Sequence, residues 1–363
     1  MAMLFGQQYT RQELLRYVGD VSQVGGVELK TMHNGPERGV RAADFYTGSG
    51  LRFSVLIDRG MDIGPAEWRG RPLAWRSPVG AVHPAYYEPI GLGWLRSFAG
   101  GLMVGCGLDN VGLPCTDAGE ELSLHGRLSH IPAELISCGG DWRGDEYEMW
   151  VEGQVRHYQV FGANLVLRRR ISTTLGSDVL SVVDTIANAG TEDTPFQILY
   201  HCNFGYPVVS AETELWLDAV HSVPRDRVAA AGFAQHTRCQ PPTPGYAEQV
   251  FYHHPRADGA GYALAALVNP ALHFGAYVRF RMAELPHLVQ WKMMGEGTYV
   301  VGLEPANCWV QGRAHDRQQG VLQFLAPGEH ISTHLQIGVL PDQAAIDAMS
   351  TLDATASRAQ RGP

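Results

Sequence analysis

"NLVLRRRIST", residues 164–173, is the stretch whose reading decides the fold. Taken with a period of two, Leu165, Leu167, Arg169 and Ile171 share one face, while Val166, Arg168, Arg170 and Ser172 share the other. A mainly apolar face opposed by a basic one predicts a strand that covers one side of a core. Working outward, "VLSVVDTIAN" (179–188), "TPFQILYH" (194–201), "LRFSVLID" (51–58) and "TELWLDAV" (213–220) read the same way. So do "YALAALV" (262–268), "AYVRFRM" (276–282), "HLVQWKM" (287–293), "TYVVGLE" (298–304) and "STHLQIGV" (332–339). All are short, rich in β-branched and aromatic residues, and bounded by Gly, Pro, Asn or Asp. They do not alternate with helices of roughly 10–15 residues, which argues against a doubly wound α/β fold. No repeat at a period of about 20–50 residues suggests a propeller or solenoid. The expectation is an all-β chain, a single large antiparallel β-sandwich domain over residues 1–340. Two exceptions frame it. Thr10 and Glu13 form a T-x-x-E capping box before Leu14, Leu15 and Val18, with Gly19 as a stop, which predicts a short N-terminal helix. "PDQAAIDAMSTLDATASRAQRGP" (341–363) predicts a helical turn followed by a polar tail.

With 45% hydrophobic and 18% charged residues, the chain can fill a sizeable core and does not read as disordered. Its net charge of −9 argues against nucleic acid as a partner. None of the six cysteines forms a CxxC pair, so neither a zinc knuckle nor a disulfide framework is expected, and reduced thiols fit a cytoplasmic location. The N-terminus lacks the basic and apolar regions of a signal peptide, and no apolar run approaches the ~20 residues of a membrane span. A soluble cytoplasmic protein with no membrane partner is expected, and a homodimer is left open. The glycine-rich stretch 81–120, "AVHPAYYEPIGLGWLRSFAGGLMVGCGLDNVGLPCTDAGE", predicts long structured loops of the kind that carry binding sites.

Reactive side chains concentrate in four segments: "LIDRGMDIG" (56–64), "LHGRLSH" (124–130), "LYHCNFGYP" (199–207) and "VVGLEPANCW" (300–309). Glu304 closes an apolar strand and precedes a proline that stops the ladder. A carboxylate among apolar neighbours there would be desolvated and its pKa raised, as a general base near neutral pH requires. A surface glutamate capping a turn is the alternative. His201 also closes an apolar strand, and Asn203 shares its face; a buried core histidine and a catalyst are both compatible with that pattern. His125 lies beside Gly126, where backbone can approach a ligand closely. Asp58 and Arg59 read as an internal salt bridge, with substrate contact by Arg59 as the alternative. His125, His130, His201 and Glu304 could together suit zinc, but no H-x-H or H-E-x-x-H spacing supports a metal, and none is expected. Without a G-x-S-x-G elbow, a GxGxxG fingerprint or a P-loop, neither a serine nucleophile nor a nucleotide cofactor is expected.

The order of these segments resembles the aldose 1-epimerase (galactose mutarotase) superfamily. The resemblance rests on Leu124-His125-Gly126, on Tyr200-His201-Cys202-Asn203-Phe204-Gly205, and on Tyr299-Val300-Val301-Gly302-Leu303-Glu304-Pro305-Ala306-Asn307. "VLIDRGMDIG" (55–64) and "SFAGGLMVGCGLDNVG" (97–112) are similar to a poorly characterised subgroup of it. The resemblance implies a mutarotase-like supersandwich that binds a sugar and needs no cofactor. It implies Glu304 as general base at the anomeric hydroxyl, His201 as general acid at the ring oxygen, and His125 as a polarising group. Arg59, Arg76, Arg127, Asn203, Trp291 and Asn307 are the expected substrate contacts. The superfamily pattern has a glycine where Arg127 follows Gly126, and this added positive charge could select an anionic sugar or pair with Asp58 or Asp62. The expected activity is interconversion of the anomers of an aldose or related sugar. Epimerisation or isomerisation at another carbon, with or without a metal, and non-catalytic carbohydrate binding are the alternatives.

Overall fold

A computed structural model describes residues 1–349. Its largest sheet has eight antiparallel strands in the spatial order Glu134–Arg143, Glu146–Tyr158, Asn164–Thr174, Val179–Asn188, His330–Leu340, Phe274–Arg281, Tyr262–Asn269 and Glu214–Leu217. A second sheet runs Ala219–Pro224, Gln249–Pro255, His287–Gly295, Thr298–Ala306, Thr194–Phe204 and Gln323–Leu325, and Val104–Leu108 also pairs with Thr194–Phe204. The third is a five-stranded meander from Gly26–Thr31 through Arg41–Tyr46, Leu51–Leu56 and Asp62–Trp68 to Arg71–Pro72. The all-β sandwich read from the sequence is the architecture observed.

Period-two alternation explains where the core lies. Leu165, Leu167 and Ile171 of the first sheet meet Phe196, Ile198, Tyr200, Cys202 and Phe204 of the second and Phe45, Phe53 and Val55 of the third in one continuous apolar cluster. Arg169 belongs to that inward face and is fully buried. Its guanidinium donates to both carboxylate oxygens of Asp184, directly opposite on the neighbouring strand, and to Gly60 O at 3.1 Å. The Tyr200 hydroxyl donates to the same carboxylate at 2.7 Å, so the buried charges are paired and their remaining lone pairs used. On the solvent face Arg170 meets Glu148 and Glu152, and Arg168 also meets Glu152.

The capping box at Thr10 and Glu13 is formed, but its helix is one turn long, Arg11–Leu14. Residues 343–349 are helical, and the polar tail expected after them lies outside the described residues. "TELWLDAV" is not one strand. It is cut at Asp218, and its halves Glu214–Leu217 and Ala219–Pro224 enter different sheets. Two further differences bear on function. His201 and Glu304 do not close their strands, which continue to Phe204 and Ala306. Pro305 lacks an N–H, yet the ladder resumes beyond it: Asn307 N donates to Ile198 O at 3.1 Å, and Asn307 Oδ1 accepts from Ile198 N at 2.7 Å.

Candidate active site

Residues at odd positions of Thr194–Phe204 and even positions of Thr298–Ala306 turn away from the sandwich core. The register that pairs Leu199 with Ala306 and Cys202 with Leu303 sets His201 across from Glu304. His201 is paired with Val104 on its other side, Glu304 with Val289, and Val289 with Tyr252. One row across five strands therefore reads Val104, His201, Glu304, Val289, Tyr252. The row on one side contains Asn203, Gly302, Trp291 and Val250. Above this face lie Trp75, Trp94 and Phe98, which with Val104, Leu199, Val250, Tyr252 and Val289 form a second apolar cluster.

His201 and Glu304 are 5% and 2% exposed, and His201 Nε2 stands 3.2 Å from Glu304 Oε1. The two atoms are close without the alignment of a hydrogen bond, because Glu304 Oε1 and His201 Nδ1 are both buried without a hydrogen-bond partner. Burial pushes the Glu304 carboxyl well above the usual carboxylate range, with Glu248 adding to the rise and Arg225 opposing it. Burial pushes His201 down to about 4, partly offset by Asn203. Burial of both groups therefore favours a protonated carboxyl beside a neutral imidazole. Gly302 makes room for the acid: a Cβ there would lie 2.3 Å from Glu304 Oε1 and 3.1 Å from Trp291 Cβ.

His125 comes from a turn in which it and Gly126 both have positive φ, 54° and 68°. A side chain at Gly126 would strike Asp109 Oδ1 at 2.2 Å and Gly107 O at 2.6 Å, so the turn needs glycine there. The His125 ring centroid is 5.7 Å from that of His201 and 4.8 Å from that of Trp94. Gly112 N–H donates to His125 Nδ1 at 3.3 Å, which assigns the proton to Nε2 and makes that nitrogen a donor. Burial and the neighbouring His201 push His125 down to about 3, so it too is neutral at pH 7. Trp291 forms a wall 5.4 Å from the His201 ring, its indole N–H bound to Glu248 Oε2.

Glu304, His201, His125, Trp291 and Asn203 are thus brought together, and the expected arginines and Asn307 are not. Asp58 pairs with Arg41 rather than Arg59. Arg59 is buried and donates to the carbonyls of Val82 and Ser97, where it fastens the loop carrying Trp94 and Phe98. Asp62 accepts from Gly105 N, so neither aspartate holds Arg127, which is exposed. Arg76 is exposed and lines a separate cleft of about 530 Å³ over the five-stranded sheet, with Asp44, Arg52 and Glu67. Asn203 donates its amide to the carbonyls of Gly101 and His201 and keeps a buried Oδ1 without a partner, while Asn307 is spent on the Ile198 backbone and the Gln323 side chain. His130 stacks on Tyr87, and its nitrogens face Ser97 and Ser129 rather than His125 and His201. Among the described residues, no group of three or more His, Cys, Asp or Glu side chains is gathered to hold a metal ion. Phe98 and Tyr252 were not legible as site residues. "QVFYHHP" (249–255) does alternate, placing Tyr252 and His254 opposite Phe251 and His253, and that was the available signal.

An acid, two imidazoles and an aromatic wall thus share the outward face of a sandwich sheet, and the chain has the fold of the aldose 1-epimerase and galactose mutarotase superfamily. Within it, the chain belongs to the family described as "Domain of unknown function (DUF4432)", which matches residues 37–339. A solved protein from Klebsiella pneumoniae subsp. pneumoniae MGH 78578, described provisionally as an aldose 1-epimerase, is similar at 28% identity and TM-score 0.87, over 93% of this chain and 90% of that one. A galactose mutarotase-like protein from Clostridium acetobutylicum shares the fold at 12% identity and TM-score 0.62, over 86% of this chain and 98% of that one. Galactose 1-epimerase from Lactobacillus acidophilus NCFM does so at 13% identity and TM-score 0.56, over 86% and 98%. No protein of curated function matches the chain. No helix among the described residues is long and apolar enough to cross a membrane.

Proposed function

We propose that the protein is an aldose 1-epimerase-type isomerase that interconverts the anomers of a sugar by opening and reclosing its ring. The observation that carries this reading is the buried His201–Glu304 pair, 3.2 Å apart, with one unpartnered polar atom on each side chain. The pair holds one proton. When that proton is on His201, the Glu304 carboxylate removes the proton from the anomeric hydroxyl while the imidazolium protonates the ring oxygen. The C1–O5 bond breaks, the aldehyde rotates about C1–C2, and the same transfers in reverse close the ring on the other face. Burial favours the proton on Glu304, and sugar hydroxyls beside the pair replace lost solvation and favour the charged form. His125 Nε2–H donates to a sugar oxygen beside His201. The indole faces of Trp75 and Trp291 suit the C–H surface of a pyranose.

NMR magnetisation exchange between anomers of freshly dissolved sugars tests this. Glu304→Gln removes the proton acceptor and should lower kcat by roughly 10²–10⁴-fold. If sugars bind yet wild-type exchange never exceeds that of buffer, the mutarotase reading is wrong. Inversion at a carbon other than C1 would replace it with the alternative epimerase.

A further inference from the structure

Tyr252 and Trp94 bring buried hydrogen-bonding groups to this site that have no role in the proton transfers. Tyr252 is 8% exposed, stands in the same cross-strand row as Glu304 and His201, and its hydroxyl has no partner. Trp94 is 1% exposed, packs at 4.8 Å against His125 and 4.5 Å against Phe98, and its indole N–H also has no partner. One comes from the sheet that forms the floor and the other from the loop that forms the roof. Both belong to the apolar cluster over the acid–base pair. Leaving a hydroxyl or N–H buried and unbonded is destabilising, and phenylalanine at position 252 would keep the ring without that cost. The fold itself gains nothing from such groups. A polyhydroxylated ligand supplies the missing acceptors.

We propose that the Tyr252 hydroxyl and the Trp94 indole N–H bind sugar hydroxyls and are the specificity-determining contacts that orient the ring over His201 and Glu304. This rests on the carbohydrate reading above but not on the site of chemistry. Trp94 can only donate, so its partner must be an accepting ligand oxygen, while Tyr252 can donate and accept. A hydroxyl missing from the ligand at either position leaves the protein group unpaired in a dry pocket, and that asymmetry is how polar sites discriminate strongly.

The test uses Tyr252→Phe and Trp94→Phe in the full chain, with a neutral hexose that binds the wild type and its singly deoxygenated analogues. Affinity is measured by calorimetry, anomer exchange by NMR and stability by thermal melts. Each substitution should weaken binding of the parent sugar about tenfold, as expected when a buried partner is lost. Tyr252→Phe should not lower Tm, since its hydroxyl has no partner to lose, whereas Trp94→Phe also shrinks a buried ring and is compared at equal folded fraction. One analogue should bind the wild type about tenfold more weakly, yet lose no more than about twofold further in Tyr252→Phe, because both changes delete the same bond. A different analogue should behave so with Trp94→Phe. Unchanged sugar affinity in both variants, additive losses for every analogue, or a fall in Tm of Tyr252→Phe would overturn the proposal. If wild type shows no anomer exchange but the ligand–variant couplings appear, the contacts stand and the mutarotase reading fails.

Discussion

Gly302→Ala tests the geometry of the acid more sharply than removal of the acid itself. Gly302 faces the site, and a methyl group there would lie 2.3 Å from Glu304 Oε1. A tolerable contact needs at least 3.0 Å, so the carboxylate must retreat by 3.0 − 2.3 = 0.7 Å. It cannot do so at the methyl's convenience, because Trp291 Cβ holds the methyl from the other side at 3.1 Å. Misplacement of a catalytic group by about 1 Å costs about 100-fold, so a 0.7 Å displacement should lower kcat roughly 30–100-fold. The backbone has no objection, since Gly302 is ordinary strand, and alanine is if anything the better strand residue. Tm should therefore stay within about 3 °C of wild type. The assay is anomer exchange by NMR, run beside thermal melts and beside the Gly302→Ala/Glu304→Gln double variant, which should be no slower than Glu304→Gln alone. A Gly302→Ala protein that keeps kcat within twofold of wild type would refute the placement of Glu304 as the proton acceptor.

Two further predictions concern stability. Arg169→Met leaves Asp184 buried at 0% side-chain exposure without its cation, and should destabilise the fold by about 3–5 kcal/mol, read from denaturant unfolding. Arg169→Met/Asp184→Leu should recover much of that loss. The second follows from the buried imidazoles: His201, His253 and His287 are pushed down to about 4, His125 to about 3 and His130 to about 2, all chiefly by burial. Below the unfolded histidine pKa of about 6.5 the unfolded chain binds protons that these groups refuse, so stability falls as pH falls from about 6.5 toward 4. Glu304 and Asp62, the latter raised to about 7, act in the opposite direction but are outnumbered. Melts from pH 7 to pH 4.5 should show Tm decreasing from about pH 6.5 downward, well above the range in which carboxylates titrate.

Alternation along "NLVLRRRIST" is a local property, and it correctly placed Leu165, Leu167, Arg169 and Ile171 on the face that became the core. Strand identity was legible for the same reason over "VLSVVDTIAN" and "YALAALV", which match Val179–Asn188 and nearly all of Tyr262–Asn269. Glu304, His201 and His125 could be singled out because their neighbours impose unusual local chemistry: a proline after the acid, and a glycine after His125 where the turn has positive φ. What the chain could not display locally is register. That Glu304 stands opposite His201, and that Gly302 leaves the space its carboxylate occupies, follows from the pairing of Leu199 with Ala306 and Cys202 with Leu303. The arginines show the limit most clearly. Asp58 and Arg59 read as an internal salt bridge because they are adjacent in sequence, but they lie in the turn after Leu51–Leu56, where Asp58 turns to Arg41 and Arg59 to the loop carbonyls of Val82 and Ser97. Sequence determined the alternation, the turns and the reactive residue types, because each depends on a few neighbouring residues. Tertiary structure decided which faces meet and which polar groups remain without partners, because both depend on contacts between strands distant in the chain.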